Sequence, residues 1–187
     1  MSDLHFAQAE RRNFLVPALI AVVILAAGVT FFLKRMPVRI ADVSVTHTAI
    51  VPTQAIYANQ SKVVGTKDQT ENNLYVLTTV RIDNHLKVPL FINDITGILT
   101  QPDDSIFDTS AIEKNDLPNL YTTFPKIKPL AGDPLLRETT IDPGGHAEGM
   151  VILSFPIDES AWNQRKSASI SITFYHQGSV TVEIPRP

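Results

Sequence analysis

The sequence predicts an all-β fold: an antiparallel β-sandwich with a short helical insertion, preceded by one N-terminal transmembrane helix. Three observations carry this expectation. A charge-free apolar run, Phe14 to Leu33 (FLVPALIAVVILAAGVTFFL), stands near the start of the chain. Beyond Pro37 the hydrophobicity breaks into short alternating runs separated by Pro, Gly, Asn and Asp, the pattern of antiparallel strands and their turns. The composition, 44% hydrophobic and 19% charged with a net charge of -3 over 187 residues, is that of one ordinary domain plus an appendage. The same numbers exclude a disordered chain and give no electrostatic case for nucleic acid. The absence of cysteine excludes disulfides, thiolate catalysis and Cys-ligated zinc, and is compatible with either redox environment.

Residues 1–13 form a short N-terminal tail, and residues 14–33 are the expected span. At 1.5 Å per residue the run covers about 30 Å, the hydrocarbon thickness of a bilayer. Arg11 and Arg12 flank it on one side and Lys34, Arg35 and Arg39 on the other, where long cationic side chains reach headgroups; residues 34–39 are a basic juxtamembrane linker. Pro17 sits in the first turn, where its missing N–H costs little. A cleavable signal peptide, with Ala26, Ala27 and Gly28 near the cut, competes with this reading. Its apolar core is normally about 7 to 15 residues, whereas this run continues through Val29, Phe31, Phe32 and Leu33. A buried helix of a globular domain would show a polar stripe, and none appears from Phe14 to Phe32. Flanking charge is nearly balanced, so the favoured orientation, tail inside and domain on the extracytoplasmic side, follows the usual arrangement of an uncleaved anchor.

Residues 40–187 form the sandwich. Ile40 to Thr48 sets Ala41, Val43 and Val45 on one face against Asp42, Ser44 and Thr46, a half-buried first strand. Leu74 to Asp83 (LYVLTTVRID) alternates most clearly, and Leu90 to Thr100 (LFINDITGILT) is expected as its hairpin partner across Asn84 to Pro89, with Gly97 marking a bulge. Between residues 110 and 136 alternation gives way to Ala111, Ile112, Leu117, Leu120, Tyr121 and Phe124 at spacings of three and four, broken by Pro118, Pro125, Pro129 and Pro134. Short helical turns across one end or edge of the sandwich are expected there. Asp142 to Gly145 makes a tight turn into Gly149 to Phe155. Ala168 to Tyr175 and Ser179 to Ile184 then form a hairpin across His176, Gln177 and Gly178. Six or seven strands at this spacing predict a sandwich.

The strand TTVRIDN (Thr78 to Asn84) followed by Pro89 and LFI, and IDPGG (Ile141 to Gly145) leading into GMVILSFP (Gly149 to Pro156), resemble a known pattern. It is that of bacterial exported or membrane-tethered immunoglobulin-like domains of unknown function, related in layout to telokin-like and late-embryogenesis-type sandwiches. The likeness covers about Ile40 to Pro185. It implies a fold and an envelope location, with the strand-to-Asn element and the Pro-Gly turn shaping the framework, and it implies no activity.

Motifs for chemistry are sparse. There is no Gly-x-Ser-x-Gly elbow, and His5, His47, His85, His146 and His176 are scattered without metal-ligand spacing. Asp103, Asp104 and Asp108 match no calcium-loop template and read as a polar turn. Gly144 and Gly145 lack the strand-loop-helix order of a phosphate cradle. Tyr121, Phe124 and Trp162 could line a groove but fit core or rim packing better. No catalytic residue, metal site or cofactor is predicted. The expected function is that of a single-pass, non-enzymatic cell-envelope protein whose partners are the lipid bilayer, through Phe14 to Leu33, and another envelope or membrane protein. As an accessory subunit it would pack its span through Ala26, Ala27 and Gly28. The alternatives are a small-ligand or lipid-binding carrier, and an envelope enzyme whose site is built from loops.

Overall fold

The computed structural model describes residues 15–35, 39–57 and 69–186. The chain divides into two units, Met1–Val38 and Arg39–Pro187. The first holds one helix, α1 (Leu15–Arg35), whose only polar side chain among those described, Thr30, turns its hydroxyl back onto the Ala26 carbonyl at 2.7 Å. Among the described residues no helix is long and apolar enough to cross a membrane, so the transmembrane span expected over Phe14 to Leu33 is not established by the fold. The reason is extent. Side chains of α1 are described from Leu15 to Phe31, about 25 Å of helix against a core of roughly 30 Å, and Phe14 lies outside the described residues.

The second unit is a sandwich of antiparallel sheets with short helices. Its elements are β1 (Ala41–Tyr57), β2 (Gln69–Asn84), β3 (Leu90–Thr100), β4 (Ile106–Ser110), α2 (Leu117–Thr123), β5 (Thr140–Ile141), β6 (His146–Phe155), α3 (Glu159–Gln164), β7 (Ser167–Phe174) and β8 (Gly178–Glu183). One sheet has the order β1-β2-β6, the other β4-β3-β7-β8, with β5 pairing the start of β3. Thus β2 and β3 are not the expected hairpin. Residues 84–89 carry the chain from one sheet to the other, and β2 pairs instead with β1 and β6. Alternation in both strands is compatible with either pairing, because each buries one face.

The crossing is held by Asn84, which is 2% exposed. Its side-chain amide donates to the carbonyls of Val88, Ile141 and Asp142, each at 3.0 Å, and its Oδ1 accepts the Leu86 N–H at 2.8 Å. The backbone adds Asn84 N–H to Gly145 O at 2.9 Å. The two sequence blocks singled out above, TTVRIDN and IDPGG, therefore meet in space.

The core between the sheets is continuous. Leu74, Val76, Val80 and Ile82 of β2 face Ile92, Ile95 and Leu99 of β3, while Val151, Leu153 and Phe155 of β6 face Ile170, Ile172 and Phe174 of β7. Gly97 is not a bulge. A Cβ there would lie 2.5 Å from Leu153 Cδ1, so glycine admits the opposing leucine, and the irregularity of β3 falls between Ile92 and Asp94.

A second apolar cluster lies on the outer face of the β1-β2-β6 sheet. The insertion runs along one edge of the sandwich, as expected, and its helix α2 in addition lies over this face. Leu117 and Leu120 of α2, with Ile127, pack on Val51, Leu77, Met150 and Ile152, and Phe124 sits 5.2 Å from the Tyr75 ring. Both faces of β6 are thereby covered, which explains its uninterrupted buried run Gly149 to Leu153. Its edge is occupied too: Ile112 N–H donates to Ile152 O, Leu135 N–H to Met150 O, and Met150 N–H to Asp133 O.

Candidate functional site

A cavity of about 260 Å³ with mixed chemistry lies at the rim of the sandwich. The rim there is formed by β1, and the sequence shapes it through a bulge. The β1/β2 register runs Val45 to Val80 and then His47 to Thr79, so Thr46 is an extra residue. Past it, Thr48 and Ile50 return to the inner face, and Val45, Thr48 and Ile50 line one wall. The opposite wall is Trp162 of α3 with Pro185 and Arg186, and His47 stands at the mouth. Helix α3 is fixed by Asp158, whose carboxylate accepts the Ala161 N–H at 2.7 Å, so Trp162 is presented to the core with 2% of its surface exposed.

Behind Trp162 lies a buried cation. Arg165 is 1% exposed, its guanidinium 4.0 Å from the Trp162 ring centroid. It donates to the Trp162 carbonyl at 3.0 Å and to the Pro185 carbonyl at 3.1 Å, while its Nε has no partner among the described atoms. Arg186 donates to the backbone carbonyls of Arg165 and Lys166, bringing a second guanidinium to the same place. Among the described residues no carboxylate lies within ion-pair distance of either. Burial, then the charge of Arg186, push the Arg165 pKa below its ordinary value, with Glu183 opposing.

A second feature is the outer face of the β4-β3-β7-β8 sheet, which no described element covers. Register sets its side chains in rows. Ser110, Thr96, Ser171 and Thr181 form a row of hydroxyls across all four strands, flanked by Asp108, Ile98, Ser169 and Glu183. Phe91 and Tyr175 are exposed at one end and Ile106 at the other.

A third feature is a cavity of about 480 Å³, a polar cleft around Arg137. That guanidinium already donates to Glu113 at 2.7 Å and to the Asn93 carbonyl at 3.1 Å and lies 3.5 Å from Asp94, so the central cation of the cleft is already paired.

The residues weighed in the sequence separate accordingly. Trp162 is core on one side and cavity wall on the other, and Phe124 and Tyr121 pack beneath the insertion, where burial raises the Tyr121 pKa. His85 pairs with Asp42 at 2.8 Å, and His146 lies across from Asp83 on the outer face of the β1-β2-β6 sheet. Asp83 receives Arg81 at 2.9 Å, and this hydrogen bond above all holds its carboxyl below the ordinary value. Asp103 caps Ser105 through both its hydroxyl and its N–H, which lowers its pKa likewise, and Asp104 pairs with Lys166. Gly144 makes a turn at φ 68°. His5 lies outside the described residues. Among those described, no group of His, Cys, Asp and Glu is arranged to hold a metal ion. Arg165 and Arg186 were not singled out in the sequence; a basic residue beside Trp162 was the one available signal.

Comparison with protein-family models gives no match, and comparison with curated proteins gives none either. Among solved structures, the chain is similar to an uncharacterized beta-sandwich protein from Clostridium difficile 630, at 13% identity over 80% of this chain and 89% of that one, with a TM-score of 0.40. It is also similar to Northeast Structural Genomics Consortium target SoR45, at 9% identity over 74% of this chain and 82% of that one, with a TM-score of 0.33. The sandwich architecture rests on the strand pairing described above.

Proposed function

We propose that the protein is a membrane-tethered, non-enzymatic binding module of the cell envelope, in which α1 holds an immunoglobulin-like sandwich at the bilayer and the sandwich engages a membrane or envelope protein. The observation that carries this reading is the unequal covering of the two sheets. The insertion covers the half of the β1-β2-β6 outer face around Val51, Leu77, Met150 and Ile152 and leaves the charged half around Arg81, Asp83 and Glu148 open, whereas the β4-β3-β7-β8 sheet presents its whole outer face bare among the described elements. The central row of that face is uncharged, made of serine and threonine hydroxyls, and Phe91, Tyr175 and Ile106 stand exposed at the strand ends; of these, the low charge and the exposed aromatics are features that interfaces favour. Strand β8 adds an edge without proline or bulge, whereas β1 carries both Pro52 and the Thr46 bulge.

The immunoglobulin-like reading is supported by strand order: β1, β2 and β6 correspond to strands A, B and E, and β4, β3, β7 and β8 to C′, C, F and G. The tether is supported by α1 itself. Its apolar side chains from Leu15 to Phe31 are exposed all round, a surface that water does not tolerate and lipid does. Confinement to a membrane raises the effective concentration of membrane partners, so weak contacts suffice.

The test is site-specific photocrosslinking in intact cells, with the probe at Thr96, Ser171 or Thr181 and, as controls, at Asn119 or Lys126 on the insertion. A discrete adduct from the sheet positions alone is expected. Adducts of equal yield from both sets, or from neither, would refute the assignment of the face. Retention in the membrane pellet after alkaline extraction, lost when Val22 and Val23 are replaced by Arg, tests the tether.

A further inference from the structure

The cavity beneath β1 lies away from the sheet face proposed for protein binding, and its chemistry is different. Its lining sets the apolar Val45, Ile50, Trp162 and Pro185 beside the polar Thr46, His47, Thr48 and Arg186. The one hydroxyl on the inner wall, Thr48, already shares a hydrogen bond with Thr78 at 3.3 Å. What is unsatisfied there is positive charge. Arg186 lines the cavity, Arg165 lies directly behind the Trp162 ring with a free Nε, and neither has a carboxylate partner among the described residues. Two guanidiniums held together repel each other, an effect that Glu183 opposes only in part, and an anion placed between the apolar walls relieves that repulsion while its tail displaces water from apolar surface. A volume of about 260 Å³ is slightly below the roughly 300–1,000 Å³ of sites for drug-sized ligands, which sets the ligand as a small one.

We propose that this cavity binds a small monocarboxylate with a short apolar tail, its carboxylate paired with Arg186 at the mouth and its tail lying against Trp162, Val45 and Ile50. Trp162 is the one tryptophan of the chain, so its fluorescence reports on this wall and no other.

The experiment uses the full chain reconstituted in lipid vesicles and titrates it with hexanoate, hexanol and hexylamine. A saturable change in Trp162 fluorescence with hexanoate is expected, at least about tenfold weaker for the alcohol and the amine, the ratio that a charge-assisted hydrogen bond supplies. Arg186→Gln should weaken hexanoate binding by about tenfold or more, while Arg186→Lys, which keeps the charge and a donor, should stay within about threefold of the parent. Val45→Phe, which fills the cavity, should abolish the response with the circular dichroism spectrum unchanged. Equal affinity for hexanoate and hexanol, no saturable response to hexanoate, or equal loss in Arg186→Lys and Arg186→Gln would each overturn the proposal. None of these outcomes bears on crosslinking from the sheet face, so the two readings fail independently.

Discussion

Replacing Asn84 removes the clasp by which the chain changes sheets. Its amide has two hydrogens and three carbonyl acceptors at 3.0 Å, so one hydrogen is shared, while Oδ1 takes the Leu86 N–H. In Asn84→Ala the Ile141 carbonyl loses a buried partner, at about 1–3 kcal/mol, and the other three groups, partly wetted, lose about 0.5–1 kcal/mol each. The total, about 2.5–6 kcal/mol, is a large fraction of the roughly 5–15 kcal/mol of a folded domain. Asn84→Asp is more discriminating. It keeps the acceptor for Leu86 but turns a carboxylate oxygen toward three carbonyls, so at neutral pH it should destabilise more than alanine. Protonation restores one donor, so the variant should recover as the pH falls toward the carboxyl's raised pKa, opposite in sign to the parent. Urea unfolding of the full chain in detergent micelles, followed by Trp162 fluorescence, reads both effects. A loss under about 1 kcal/mol for Asn84→Ala, or an Asn84→Asp variant as stable as the parent at neutral pH, would refute the clasp.

Gly97→Ala should cost about 1–3 kcal/mol, because its Cβ enters the space of Leu153 Cδ1, and combining it with Leu153→Ala should cost less than the two separately when unfolding midpoints are compared. Arg165→Ala should cost about 3–5 kcal/mol, through lost packing on Trp162 and two unpaired carbonyls, whereas Arg165→Met should cost less than half of that, since an apolar chain of similar length keeps the contact without a buried charge. On the acid side, Asp83 and Asp103 have folded pKa values below their ordinary 3.8. Their stabilisation is therefore complete above that value and drains as pH falls through the folded pKa. The double variant Asp83→Asn, Asp103→Asn should accordingly show a flatter decline of the urea midpoint below about pH 4, and an unchanged decline would contradict the assignment.

Strand positions were legible where one face of a strand meets water. Leu90 to Thr100 coincides with β3, and Ala168 to Tyr175 is one residue out of step with β7 (Ser167–Phe174), because alternation there is sharp. Partner choice was not legible. The same alternation that identifies β2 and β3 permits a hairpin, and what forbids it is Asn84, whose bonds reach Ile141 and Asp142, nearly sixty residues further along. The short strands β4 and β5 were missed because Ile106 to Ser110 leaves its one large apolar outward-facing residue, Ile106, exposed, and Thr140 to Ile141 is a single pair of residues. Helix α3 was missed because only Trp162 of its six residues is buried, so it carries no periodicity to read.

The position of the insertion follows from a signal that was present but read too locally. Residues 149–153 are apolar without alternation, a run that a one-sided sheet does not need. Such a run requires a cover on the second face, and the insertion, with Leu117, Leu120 and Phe124 outside any strand, supplies apolar residues for it. Covering the apolar half of one sheet in this way leaves its charged half, around Arg81, Asp83 and Glu148, and the whole outer face of the other sheet open, so the placement of α2 decides that the weakly charged open face is the one on β4-β3-β7-β8. The cavity was illegible for a different reason. Its walls come from residues 45–50, 162 and 185–186, segments too far apart for spacing to relate them, and its charge appears only because Arg165 folds behind Trp162 instead of out into solvent. An arginine three residues after a tryptophan on a short helix is a weak pattern. Burial without an acid at ion-pair distance among the described residues is what turns it into a ligand hypothesis, and burial is a property of the fold.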